Sequence, residues 1–278
     1  MSIRAIDPWV NVRMGAGVPP EFLVRVKEDY FKAGSEFFRD FSVEEMLDVM
    51  DRTGVEKAVL SIDAERPDEA TLVFPAARPD RFALAAGLDP RRGMKAVRGL
   101  EALVSSAPVA MARMTPFLYD LPPHHRTYYP IYAKCIELDL TVAVNTGIPG
   151  PPMPGECQHP MHLDRVCLDF PELKLVMAHG ADPWWGVAIR LMLKYPNLSL
   201  MTSAYAPKYL PPELIDFMNT RGSDKVMFAS DHPVLPMERC IAEAQALDLR
   251  EGVLDKYLYA NAERVFFPRA SDADAAHE

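Results

Sequence analysis

The sequence predicts a single-domain (β/α)8 TIM barrel, and three observations carry that expectation. Short apolar, β-rich runs alternate with helical patterns eight times along nearly the whole 278-residue chain. Most of these runs are continuously apolar, as expected where both faces of a parallel strand are covered. The length fits as well, since such a barrel occupies about 250 residues as one domain. A doubly wound open sheet is the competing architecture, but no glycine-rich phosphate loop follows the first strand.

Taken in order, the strands are expected at residues 3–7, 57–61, 82–87, 109–114, 141–145, 174–179, 198–202 and 226–230. The clearest strand–helix unit is "SVEEMLDVMDRTGVEKAVLS". Ser42 can cap the helix, Glu45 can return the bond, and Gly54 stops the helix before the next strand. Two segments interrupt the rhythm. Residues 11–40 are far longer than a usual βα loop and contain the amphipathic "PPEFLVRVKEDYFKAG". They are expected to form an inserted helical segment over the barrel mouth or at a subunit contact. Residues 146–161, "TGIPGPPMPGECQHPM", are dense in glycine and proline and predict a rigid loop, either a connector or an active-site wall. Proline makes up 26 of the 278 residues, about twice its average share near 5%, and much of it follows the proposed strands. The barrel is expected to span residues 1–269, with a disordered tail at 270–278, "ASDADAAHE". No internal repeat is present.

Hydrophobic residues at 49% and charged residues at 25% are ordinary for a globular enzyme. A net charge of -9 argues against nucleic acid or an anionic membrane as the main partner. The four cysteines, Cys135, Cys157, Cys167 and Cys240, show no C-x-x-C spacing and read as reduced thiols in a cytoplasmic protein. No apolar run approaches the roughly 20 residues of a membrane span. The expected partner is a small carboxylated substrate, and the expected assembly a homodimer or higher homo-oligomer.

In a barrel of this kind the catalytic groups stand at the C-terminal ends of the strands. Those positions hold Asp7, Trp9 and Asn11 after strand one, Ser61 and Asp63 after two, and Asp89 after three. Arg113 ends strand four, Asn145 five, His179 six, Thr202 and Ser203 seven, and Asp231 eight. "LKLVMAHGADPWW" and "DKVMFASDHPVLP" set a histidine and an aspartate at the ends of apolar strands, where a packed barrel does not bury a polar group without a purpose.

From "FPELKLVMAHGADPWW" through "YPNLSLMTSAYAP" and "RGSDKVMFASDHPVLPMERC" to "NAERVF", the chain resembles the amidohydrolase superfamily. The resemblance is to the amidohydrolase-2 branch, which includes aminocarboxymuconate-semialdehyde decarboxylase, aromatic-acid decarboxylases and pyrone-dicarboxylate lactonase. It implies H-x-H after strand one, a histidine after strands five and six, and an aspartate after strand eight. Here those positions are Trp9 and Asn11, Asn145, His179 and Asp231, so only the last two match. Indole is not a metal ligand and an amide oxygen is a poor one, so no metal cofactor is expected beyond weak zinc through His179 and Asp231. Asp7 is a minor third candidate. Cys157, His159 and His162 in "CQHPMH", with His124 and His125 in "PPHHR", are read as loop side chains, and only His162 is placed near the pocket.

The candidate catalytic residues are therefore Asp231, as general base, and His179, as a polarising or oxyanion-stabilising group. Arg113 is the candidate carboxylate anchor. Asn145 and Asn11 are candidate amide donors, and Trp9 and Tyr205 flat walls for a ring. The leading expectation is a metal-independent hydrolase of a carboxylated lactone, ester or activated C–C bond. A decarboxylase or related lyase is the alternative, and a non-catalytic binding protein the third.

Overall fold

A computed structural model describes residues 3–15 and 17–268. Eight parallel strands follow one another in chain order: β1 (Ala5–Val10), β2 (Val55–Asp63), β3 (Phe82–Gly87), β4 (Val109–Met114), β5 (Thr141–Asn145), β6 (Leu175–Ala178), β7 (Leu198–Met201) and β8 (Val226–Met227). A parallel bridge between Val10 and His232 joins the first strand to the segment after the last, so the sheet curls round on itself. Two backbone bonds reinforce the seam, Asn11 N–H to His232 C=O at 2.8 Å and Asp231 N–H to Trp9 C=O at 3.1 Å.

Two buried layers follow from the period of the strands. Residues facing outward from the sheet pack against the surrounding helices, as Leu60, Leu84, Val142 and Leu200 do. The inward set is mostly small: Ala83, Ala85, Ala143, Ala178 and Ala229 leave room for Met111, Met201, Met227 and the indole of Trp9. Phe266 and Tyr259 join this inner set.

The helix Val43–Thr53 forms as its sequence predicts. Ser42 Oγ accepts from Glu45 N–H at 3.2 Å while the Glu45 carboxylate accepts from Ser42 N–H at 2.8 Å. Met46, Val49, Met50 and Thr53 are buried along one face. Gly54 ends the helix at φ 74°, and a Cβ there would stand 2.4 Å from the Ile3 carbonyl, so only glycine fits.

β1 departs from expectation. It runs on through Trp9 and Val10, with a register irregularity against β2 between Asp7 and Val10. Asp7 is thereby fully buried in the barrel wall rather than at a turn. The inserted segment contains a short helix, Glu21–Arg25, that continues as a π-helical turn, Val26–Phe31, and then a 3-10 turn, Ser35–Phe38. Val26 and Phe37 pack on Val234 of the loop after β8, which seats the segment over the barrel mouth. The expected tail at 270–278 lies outside the described residues. Among the described residues no helix is long and apolar enough to cross a membrane.

Candidate active site

A cavity of about 320 Å³ opens at the C-terminal ends of the strands. It is lined by Trp9 and Asn11 from β1 and its loop, Arg113 from β4, Asn145 from β5, His179 after β6, Tyr205 after β7 and Asp231 after β8. These are seven of the eight residues singled out in the sequence. The eighth, His162, is not among the lining residues. It stands at the start of the helix His162–Asp169, with its Nε2 3.1 Å from Glu156 Oε1 and its ring near those of His124 and His159.

Asp231 is held from several sides. Asn11 Nδ2 donates to its Oδ1 at 2.7 Å, across 220 positions of sequence. Burial pushes its carboxyl up to about 7 from an ordinary 3.8, against the pull of the Arg113 charge and the Asn11 hydrogen bond. Asp7 sets the backbone beside it. Asp7 Oδ1 accepts from Ser230 N–H at 3.0 Å and Trp9 N–H at 3.3 Å, while Ser230 Oγ donates to Oδ2. Asp7 thus ties β1 to the residue preceding Asp231, and burial raises it to about 6.

His179 is shaped by Ser203. The Ser203 hydroxyl oxygen accepts from the His179 backbone N–H at 3.0 Å and lies 2.7 Å from His179 Nδ1. Burial, with the Arg113 charge adding to it, lowers the imidazole to about 3, so it is neutral at physiological pH. The indole of Trp9 packs edge-on against it, ring centres 4.6 Å apart. Arg113 lies over the same indole, its guanidinium carbon 4.2 Å from the ring centre, and Nη1 donates to Ser61 Oγ. Tryptophan at position 9 therefore fixes a cation on one side and an imidazole on the other. His179 and Asp231 share one further feature: both have positive φ, 66° and 68°, a backbone region that a non-glycine residue occupies only when its surroundings impose it.

Both irregular segments build walls of this cavity. Phe22, Leu23, Val26, Tyr30 and Phe31 of the insertion make an apolar roof, and Thr146 to Pro151 make a side. Gln158, from the same proline-rich loop, also lines it and was missed from sequence. A carboxamide among prolines, beside a cysteine and two histidines, carries no pattern that marks it. Ser203 and Ser61 went unassigned for the same reason, since a hydroxyl's role depends on what it meets across the barrel.

The donors for a metal are few. Among the described residues no three His, Cys, Asp or Glu side chains form a group that could hold an ion. Both Asp7 oxygens are occupied by Ser230 and Trp9, and the Arg113 cation shares the cavity with His179 and Asp231. The residues present do not, in this arrangement, complete a divalent-metal site.

Comparison with known proteins places this architecture. The amidohydrolase family model, of the amidohydrolase-2 type, matches residues 6–267. An uncharacterized TIM-barrel protein from Bordetella bronchiseptica has a TM-score of 0.75 at 23% identity, covering 95% of this chain and 98% of its own. The 5-carboxyvanillate decarboxylase of Sphingomonas paucimobilis has a TM-score of 0.71 at 18% identity, covering 95% and 99%. A dihydroxybenzoic acid decarboxylase from Polaromonas, solved with bound manganese and the inhibitor 2-nitroresorcinol, has a TM-score of 0.66 at 19% identity, covering 97% and 98%. No curated protein matches the sequence. The manganese corrects one expectation. The absence of a cofactor was inferred from lost histidines, and a structure of the same fold carries a bound metal. That inference does not stand, because ligand count read from a strand-end pattern says nothing of what other groups or rearrangements supply. The chain belongs to the amidohydrolase family, in its amidohydrolase-2 branch.

Proposed function

We propose that this protein is a carboxy-lyase acting on a small carboxylated, hydroxylated ring compound, with Asp231 as the group that moves the proton. The observation that carries the reading is Asp231 itself: a buried carboxyl, held near neutrality at about 7, in one cavity with a fixed cation and a neutral imidazole. Decarboxylases among the structures of this fold support it, and manganese in that setting supports a metal cofactor for the family's chemistry. A divalent metal bound there would supply Lewis-acid polarisation of a substrate oxygen. The steps below are those that the chain's own groups carry out.

Protonated Asp231 donates its proton to the ring carbon that bears the carboxylate, forming the C–H bond. The C–C bond to the carboxylate then breaks, its electron pair returns to the ring, and carbon dioxide leaves. The Asp231 carboxylate that remains takes a proton from solvent before the next turnover. Arg113 anchors an anionic group that does not react, since gripping the departing carboxylate would stabilise the ground state more than the transition state. With the Ser203 hydroxyl donating to Nδ1, His179 presents Nε2–H to a ring oxygen as it gains charge. Phe31, Trp9 and Ile148 contribute apolar surface, which favours loss of a solvated carboxylate's charge.

The test is incubation of purified protein, with and without added manganese, with carboxylated phenols and carboxylated lactones. Carbon dioxide release from the phenols supports the lyase reading. Acid release from the lactones alone replaces it with the hydrolytic one, in which ionised Asp231 activates water.

A further inference from the structure

No carboxylate pairs with Arg113. Among the described residues the Ser61 hydroxyl is the one group that accepts a hydrogen bond from it, and no acidic side chain lies within ion-pair distance. Yet Asp231 lines the same cavity, and each of the two groups feels the other's charge. Opposite charges among buried groups attract more strongly than in open solvent. That these two stand apart needs a structural cause.

The cause lies across β3. Ser61 and Arg113 each stand two positions after an inward-facing residue, Val59 on β2 and Met111 on β4. β3 runs between those strands, and its residue paired with Arg113 is Gly87. With no side chain at that position, the guanidinium reaches over β3 and donates from Nη1 to Ser61 Oγ. A second cavity, of about 600 Å³, opens at the ends of β2, β3 and β4. Arg113 lines both cavities, Ser61 only the second and Asp231 only the first. Ser61 thus tethers the guanidinium toward the cavity that Asp231 does not line. The Trp9 ring supports its flat face, and Asn11 holds the Asp231 carboxylate on its own side.

We infer that Ser61 is a positioning residue whose hydroxyl keeps Arg113 open to the anion of a ligand and prevents it from pairing with Asp231. A hydroxyl suits the task because it accepts from the guanidinium without neutralising it, which leaves the charge and most of the donors free. A carboxylate in the place of Ser61 would occupy the cation outright. Without the hydroxyl, Arg113 turns to Asp231, and the anchor and the proton-transfer group are lost to each other. The inference rests on Arg113 as the anchor proposed above and adds the residue that keeps it available.

The test is a double-mutant cycle with benzoate, an anion that carries no other polar group, at pH 8, where Asp231 is charged. Ser61→Ala should weaken benzoate binding, followed by calorimetric or NMR titration, about tenfold, because only the fraction of molecules with a free Arg113 can bind. Ser61→Thr, which keeps the hydroxyl, should bind as the wild type does. In the Asp231→Asn background the same Ser61→Ala change should cost little, since the competing charge is gone. A crystal structure of ligand-free Ser61→Ala should show Arg113 and Asp231 as an ion pair, and Ser61→Cys, with a weak acceptor of similar size, serves in its place if the alanine variant does not fold. Arg113 unmoved in that structure overturns the inference. So does a loss in Ser61→Ala that persists undiminished beside Asp231→Asn or is not rescued by threonine. Failure of benzoate to bind the wild type counts against Arg113 as anchor, and the structure of the variant then decides by itself whether Ser61 holds Arg113 from Asp231.

Discussion

Replacing Asp231 by asparagine should make the protein more stable and less active, and the gain should depend on pH in a defined way. Asparagine keeps the shape, can still accept from Asn11, and tolerates the left-handed backbone at φ 68° better than most residues. What it removes is a charge. The folded carboxyl titrates at about 7 against an ordinary 3.8, so the folded state resists an ionisation that the unfolded chain accepts freely. Below pH 4 both states are protonated and the residue costs almost nothing. As pH rises from 4 toward 7 the unfolded chain loses the proton first, and stability falls. Above 7 the penalty is complete. A gap of about 3 pH units at about 1.4 kcal/mol each gives about 4 kcal/mol at pH 8, about 2 kcal/mol at pH 5 and less than about 1 kcal/mol at pH 4. Asp7 remains in both proteins, and the part of the rise that its charge contributes to Asp231 is removed together with that carboxyl. Urea denaturation of the two proteins at these three pH values, with unchanged slopes, measures it. Parallel stability curves across that range would show that the carboxyl is not held near neutrality. The argument for proton transfer by Asp231 would then lose its basis.

Turnover by the same variant should drop by about a hundredfold or more, as expected for loss of a general acid or base. In the wild-type pH–rate profile, a lyase using protonated Asp231 should lose activity about tenfold per unit above pH 7, whereas a hydrolase using the carboxylate should lose it below. Arg113→Met should raise KM for a carboxylated substrate by about ten- to a hundredfold with a smaller effect on kcat, because an anchoring pair acts in the ground state as well; a change confined to kcat would contradict the anchor role. Trp9→Ala empties a fully buried position between His179 and Arg113 and should cost about 3–5 kcal/mol in urea denaturation. Ser42→Ala breaks the capping box and should cost about 1 kcal/mol with activity unaffected, which separates a fold effect from a site effect.

The positions of the barrel strands were legible in the sequence because they are set by local pattern. Apolar runs bounded by capping and turn residues specify where a buried parallel strand begins and ends, and seven of the eight lie within a few residues of expectation. The first strand did not stop at Asp7, since the register irregularity that carries it through Trp9 and Val10 is made by pairing with β2 and with the segment after β8. The polar residues at the mouth were legible for the same reason as the strands. In a barrel the residue closing an inward-facing strand has one place to go. Asn11, Asn145, His179 and Asp231 followed from that rule alone, though the absence of a metal cofactor inferred from their identities did not hold.

What those residues do was decided by tertiary contacts. Asn11 and Asp231 are 220 positions apart and meet at 2.7 Å only because the sheet curls until its first and last strands adjoin. The ionisation of Asp231 and His179 depends on burial and on the Arg113 charge, neither of which a sequence window contains. His162 was drawn toward the site by its company of cysteine and histidine, while Gln158, four residues earlier and in the cavity wall, had no such signal. The sequence by itself determined which backbone positions become strands and which side chains crown them, because those depend on neighbours along the chain. The structure decided protonation, partner and access, because each is set by atoms that approach from distant parts of the chain and by how completely they exclude water.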